Sequence, residues 1–166
     1  MLSITRRLRA RRGALAVLAV ALAVLGAACV PPTASAPRPA APSAGPADDI
    51  VNRHNAARAG AGLPGFAIDG ALNTNAQYHA QRLASSSDGS CRLWHSGELP
   101  SWYPGRAAAE NVACIGPCPS NGAQMMSMWL NSPEHSVNIF NGGYRYIGVG
   151  VACNGREGFA VVHFRS

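Results

Sequence analysis

"NSPEHSVNIFNGGYRYIGVGVACNGREGFAVVHF", residues 131–164, changes its periodicity part-way along, and that change decides the fold. Pro133 disfavours helical geometry at Ser132, so a helix arriving from upstream stops there. Ser132 then caps a new turn with Pro133 at its first position, and Glu134 and His135 fall inside that turn. Beyond Tyr146 the period becomes two: Ile147, Val149, Val151 and Cys153 point one way, and Gly148, Gly150 and Ala152 the other. Asn154-Gly155 supplies turn chemistry, and "FAVVHF" returns as the partner strand. One face of this antiparallel hairpin carries two glycines, which admits a helix or another backbone at close range.

Upstream, the period is helical. Asp48 or Asp49 caps a first helix with Ile50, Val51, His54 and Ala57 on one face, ended by Gly60 and Gly62. Asp69 caps a second, with Leu72, Ala76, His79, Ala80 and Leu83 in line before "SSSDGS" breaks it. After Ser120 a third presents Ala123, Met126, Trp129 and Leu130, its neighbouring methionines serving as core filler. "ENVAC", bounded by loops and partly β-branched, reads as a third strand. Helices first and strands mostly later make an α+β domain. Residues 47–166 are long enough for one such domain with its own core.

The 14 cationic residues of the 166-residue chain are all arginines, against eight carboxylates, giving a formal charge of +6. Arg6, Arg7, Arg9, Arg11 and Arg12 crowd the start, and Gly13 to Ala28 carry no charge. That is the layout of an export signal over residues 1–28, too short in its apolar run for the roughly 20 residues of a spanning helix. The rest of the chain is close to neutral, which excludes nucleic acid as a partner. The signal ends in "LGAAC", similar to the box that precedes the acylated cysteine of bacterial lipoproteins, so Cys29 is a candidate lipid anchor; cleavage near Ala28 and release is the alternative. Residues 29–46, rich in proline and alanine, form a tether. Any membrane contact then runs through that anchor alone.

Cys91, Cys114, Cys118 and Cys153 remain in the exported domain. An even count in an oxidising compartment reads as two disulfides with three possible pairings. The short loop between Cys114 and Cys118 suggests that these two pair, leaving Cys91 with Cys153. C-x-x-x-C without a second close pair is weak support for zinc.

The order of features resembles the CAP superfamily: cysteine-rich secretory proteins, antigen 5 and the plant pathogenesis-related type 1 proteins, here in compact bacterial form. Its carriers are Asn55 and Arg58 in "HNAAR", Leu72 and Ala76, His95-Ser96, Glu110-Asn111, Trp129 followed by "NSPEHSVNIF", and "YIGVGV" with "VVHF". "CRLWHS" is close to the plant members. The resemblance implies a three-layer α-β-α sandwich around a small antiparallel sheet. It also implies a cleft where two histidines and two acidic residues converge and can hold a divalent cation. By position His95, Glu110 and His135 carry over, and Glu134 stands where bacterial relatives usually have glycine. Two neutral imidazoles with one carboxylate leave a coordination position open for Zn2+ or another divalent ion. The start of a helix favours a neutral His135, and Glu134 opposes this.

Further implied themes are lipid or sterol binding and extracellular signalling, with proteolysis ascribed to some members. Trp94, Trp102 and Tyr103 lie on the loop between His95 and Glu110 or at its entry; Trp102 and Tyr103 are candidates to line an apolar ligand site, Trp94 to cover the sandwich edge. His54 and His79 read as interior, and His163 receives no role. Ser96 adjoins His95 too closely to meet it as nucleophile and base, and neither G-x-S-x-G nor H-E-x-x-H occurs. The reading is therefore a monomeric, exported, non-catalytic module, either a cell-envelope lipoprotein or secreted. It binds a small apolar ligand or an extracellular protein. The alternative is a metal-dependent or Ser/His/Glu-type hydrolase.

Overall fold

The computed structural model describes residues 45–118 and 121–166. The expected export signal, the candidate anchor Cys29 and most of the expected tether lie outside the described residues. The last tether positions do not: Gly45 is the N-cap and Pro46 the first residue of helix α1 (Pro46–Gly60). The helix starts earlier than the aspartates suggested because proline fits the first helical position, and Asp48 reaches back to accept from the Gly45 N–H at 3.1 Å. Then follow β1 (Ala67–Ile68), α2 (Gly70–Ser86), α3 (Leu99–Trp102), β2 (Ala108–Ile115), α4 (Gly122–Leu130), α5 (Pro133–Ile139), β3 (Tyr146–Cys153) and β4 (Gly158–Arg165). No helix among the described residues is long and apolar enough to cross a membrane.

The sheet order is β1-β3-β4-β2. The three long strands are antiparallel, and the two-residue β1 adds a parallel edge to β3. Strand alternation sorts side chains into two layers. Ala113, Ile115, Ile147, Val149, Ala160, Val162 and Phe164 meet Ile50 and Val51 of α1, Met125, Met126 and Trp129 of α4, and Ile139 of α5. Val112, Cys114, Phe159 and Val161 meet Ala76, Ala80, Leu83 and Ala84 of α2. This is the expected α-β-α sandwich. On α4 the buried face is Met125, Met126 and Trp129, whereas Ala123 and Leu130 are exposed, a shift in the stripe expected from sequence.

On the α2 side β3 presents Gly148 and Gly150. A Cβ on Gly148 would overlap backbone atoms of Leu72 and Asn73, and one on Gly150 those of Ala76 and Gln77. Two amides fasten the same contact. Asn73 Oδ1 accepts from Val149 N at 2.9 Å, and Gln77 both accepts from Val151 N and donates to Val151 O at 3.0 Å. Asp69 caps α2 as expected, accepting from the N–H groups of Ala71 and Leu72.

The cysteines pair as Cys91–Cys114 and Cys118–Cys153, correcting both expected bridges. The reason is strand alternation. Cys114 points to the α2 layer, where the loop after α2 brings Cys91. Cys153 shares the parity of Ile147 and Val149 and so belongs to the other face. The chain leaving β2 reaches it with Cys118.

His54 is fully buried between Trp129 and Phe164, with Nδ1 donating to Ile50 O at 2.8 Å. Burial pushes its pKa from 6.5 down to about 4. Between those values the unfolded chain takes up a proton that the folded one refuses, so this contribution to stability is fully present above pH 6.5 and lost as pH falls towards 4. Melting temperature is expected to drop on acidification through that window, and His54→Phe to flatten the drop; an unchanged slope in the variant would assign it elsewhere.

Candidate functional site

The site forms at the β2 edge, where both helical layers reach the same strand. Glu110 and Asn111 face opposite ways from β2. Asn111 turns to α5, donating to His135 O at 3.1 Å and accepting from Asn138 Nδ2 at 2.9 Å. Glu110 turns to the α2 layer, directly opposite His163 in the β2–β4 register. One dipeptide thus positions both cleft segments.

The Glu110 carboxylate is a hub. Oε1 accepts from His95 Nδ1 at 2.8 Å and from Ser96 N at 3.0 Å; Oε2 accepts from His163 Nε2 at 2.9 Å. His79 Nε2 lies 3.9 Å from Oε2 but donates to Trp94 O at 2.9 Å. Burial pushes the Glu110 pKa up, yet the hydrogen bonds from His163, Ser96 and His95 outweigh it and hold it at about 2. The side chain is 1% exposed, that of His95 63%. With Nδ1 donating to a carboxylate, His95 keeps its Nε2 lone pair free towards solvent.

His135 is arranged the same way by different means. Its Nδ1 is 2.7 Å from Ser132 Oγ, which donates its one proton to Glu134 Oε2 at 2.9 Å. The imidazole therefore carries the proton on Nδ1 and leaves Nε2 free. Ser132 stands at the N-cap without a side-chain bond to the backbone, its hydroxyl being spent on this bridge. Burial, then the nearness of His95, hold His135 below the usual imidazole range, with Glu134 opposing. The helix start and Glu134 were expected to pull in opposite directions; burial tips the balance towards the neutral ring.

Among the described residues, His95, Glu110 and His135 do not bring one donor atom each within 4.8 Å of one another. Among the described residues, the one trio whose donor atoms all lie within 4.8 Å of one another is Cys91, Cys114 and Glu157, and its cysteines are oxidised to a disulfide. Glu110 has both oxygens engaged and serves His95 from behind, while exposed Glu134 serves His135 through Ser132. The available donors are the two Nε2 atoms.

The aromatic loop also differs from expectation. Tyr103 is 5% exposed, turned inward with its hydroxyl 2.8 Å from His163 Nδ1. Half-buried Trp102 packs on His163 and Tyr78. Trp94 packs on the α2-side core, as expected of an edge cover. His163 is the functional neighbour that the sequence reading missed. Its signal was the strand pairing: once "ENVAC" is set beside "FAVVHF", a register that buries both apolar faces brings His163 opposite Glu110.

The family model described as the cysteine-rich secretory protein family, CAP, matches residues 51–164. A sequence comparison with curated proteins gave no match. Among solved structures the chain is similar to a cysteine-rich secretory protein from Staphylococcus aureus, with TM-score 0.55 and 20% identity over 72% of this chain and 38% of that one. It is similar to an extracellular SCP-domain protein from Bacillus anthracis, with TM-score 0.55 and 27% identity over 72% of this chain and 40% of that one. The structure of NaASP2 with Zn2+ shares the fold, with TM-score 0.57 and 15% identity over 73% of this chain and 80% of that one. The chain thus spans about two fifths of the length of the two bacterial proteins.

Proposed function

Because the chain belongs to the cysteine-rich secretory protein family, we propose that it is an exported, non-catalytic binding domain whose cleft takes one divalent cation on His95 and His135. The observation that carries this is the matched pair of imidazoles. Each has Nδ1 tied to a carboxylate, His95 directly to Glu110 and His135 through Ser132 to Glu134, and each keeps Nε2 free. Carboxylate-backed histidines of this kind are the usual presentation of a zinc ligand. A bound cation would supply a Lewis-acidic point with open positions for an anionic group of an extracellular partner. The zinc in the NaASP2 structure belongs to a protein of the same fold. Export is supported by the leader-like start of the sequence, by two disulfides, and by the extracellular bacterial relative.

The hydrolase reading has less support. Ser96 Oγ is buried with no hydrogen-bond partner among the described residues, so no imidazole activates it, and Glu110 is buried with both oxygens already accepting hydrogen bonds. The apolar-ligand reading keeps only half-buried Trp102 of its two loop aromatics, since Tyr103 faces the interior.

Calorimetry of purified protein with zinc chloride at pH 7.5 is expected to show about one site. His95→Ala and His135→Ala should each abolish it, and Glu110→Gln should weaken it by roughly 10- to 100-fold as an orienting group. Calcium, which prefers six to eight oxygens, should compete poorly. If the double variant His95→Ala, His135→Ala binds zinc as tightly as the parent, the proposal fails.

A further inference from the structure

We infer that His163, backed by Tyr103, is a positioning residue of the cleft: it locks Glu110, and through Glu110 holds His95 in the tautomer that leaves Nε2 free. This rests on the cation reading above and extends it to residues that touch no cation. His163 is fully buried and both ring nitrogens are engaged, so it is not itself a ligand.

The acceptor-only carboxylate of Glu110 sets the direction of the hydrogen-bond chain. Asn75 Nδ2 donates to Tyr103 Oη at 3.3 Å. The ionised Glu110 carboxylate only accepts, so the ring proton of His163 sits on Nε2, and Nδ1 is left to accept the tyrosine hydroxyl proton, 2.8 Å away. His163 then carries its proton on Nε2 and donates it to Glu110 Oε2 at 2.9 Å. Glu110 Oε1 is left to accept from Ser96 N and from His95 Nδ1.

On the Oε2 side no other bond fixes the carboxylate. His79 is 3.9 Å away and committed to Trp94 O. Without His163, a buried oxygen would lose its partner, and Glu110 would gain by rotating towards another donor, away from His95. The Trp102 ring, with its centroid 5.5 Å from that of His163, restrains the imidazole. An inward tyrosine on a loop expected to hold ligand is thereby accounted for.

The test is long-range 1H–15N correlation of 15N-histidine-labelled protein at pH 8, with zinc calorimetry on the same samples. In the parent, His95 should be the Nδ1–H tautomer and His163 the Nε2–H tautomer. In His163→Leu, His95 should populate both tautomers and zinc affinity should fall about tenfold. His163→Gln, whose amide can donate to Glu110 and accept from Tyr103, should restore both readings. Should His163→Leu fail to fold, Tyr103→Phe replaces it, with a smaller loss in the same direction. A folded variant that keeps His95 wholly in the Nδ1–H form with unchanged zinc affinity overturns the inference. If the parent binds no zinc, the cation reading falls, and the His95 tautomer in His163→Leu still decides this one.

Discussion

Replacing Gly148 or Gly150 with alanine is expected to destabilise the domain by about 3 kcal/mol or more, among the largest effects a single methyl can have here. Overpacking is usually relieved by a side chain that turns aside. At both positions the added Cβ meets α2 backbone, the Leu72–Asn73 peptide in one case and the Ala76–Gln77 peptide in the other. Relief requires α2 to lift off the sheet, which would open the layer holding Ala76, Ala80 and Leu83. Gly70, with nothing within 4 Å of a built Cβ and placed at the start of α2, is the control. Its alanine variant should unfold within about 0.5 kcal/mol of the parent. Urea midpoints decide: a Gly148→Ala protein as stable as the Gly70→Ala protein would show that the helix is not seated on the glycines.

Arg58→Met should cost about 4 kcal/mol, and Arg58→Lys should recover less than half of it. Arg58 is 1% exposed and has no carboxylate partner among the described residues. Its guanidinium instead donates to four carbonyls: Nε to Pro64 O at 2.7 Å, Nη1 to Ile139 O at 2.8 Å and Asn141 O at 3.0 Å, and Nη2 to Tyr144 O at 3.4 Å. Its carbon centre sits 4.0 Å over the Phe66 ring. The planar fork ties α1 to the turn after it and to the connection between α5 and β3. Methionine fills the volume and leaves those acceptors without donors; lysine brings a charge that reaches one or two of them. Hydrogen exchange should quicken at residues 141–145 in both variants. A lysine variant matching the parent in midpoint and exchange would contradict this account.

Much of this was legible in the sequence, because it is local. Alternation across Ile147 to Cys153 gave the hairpin and its glycine face, Asp69 gave the start of α2, and the Ser132-Pro133 break gave the position of His135. What was not legible depends on which strands lie side by side and on which face a residue points. The disulfides follow from Cys114 and Cys153 lying on opposite faces of the sheet, which loop length alone does not reveal. His163 acquires its role only from the register that sets it against Glu110. The role of Glu110 could be read only in part: its place in the cleft follows from the motif, but its occupied oxygens follow from burial beneath His95. The stripe on α4 was displaced because α1 covers Gly122 and Met125, a packing choice that periodicity leaves open.

The amide pairs from Asn73 and Gln77 have a consequence beyond seating α2. Among the described residues, β3 has a strand neighbour on its outer side only at Tyr146 and Ile147. A bare outer strand offers its N–H and C=O groups as a template for another chain, the first step of domain swapping and fibre growth. Here part of that template is already occupied, with Val149 N, Val151 N and Val151 O each bonded to a side chain of the same molecule. An incoming strand would have to displace three bonds, from two residues anchored on a helix, before it could form its own. This side of the sheet is therefore a partly closed seam that resists strand addition, by foreign chains and by its own copies alike.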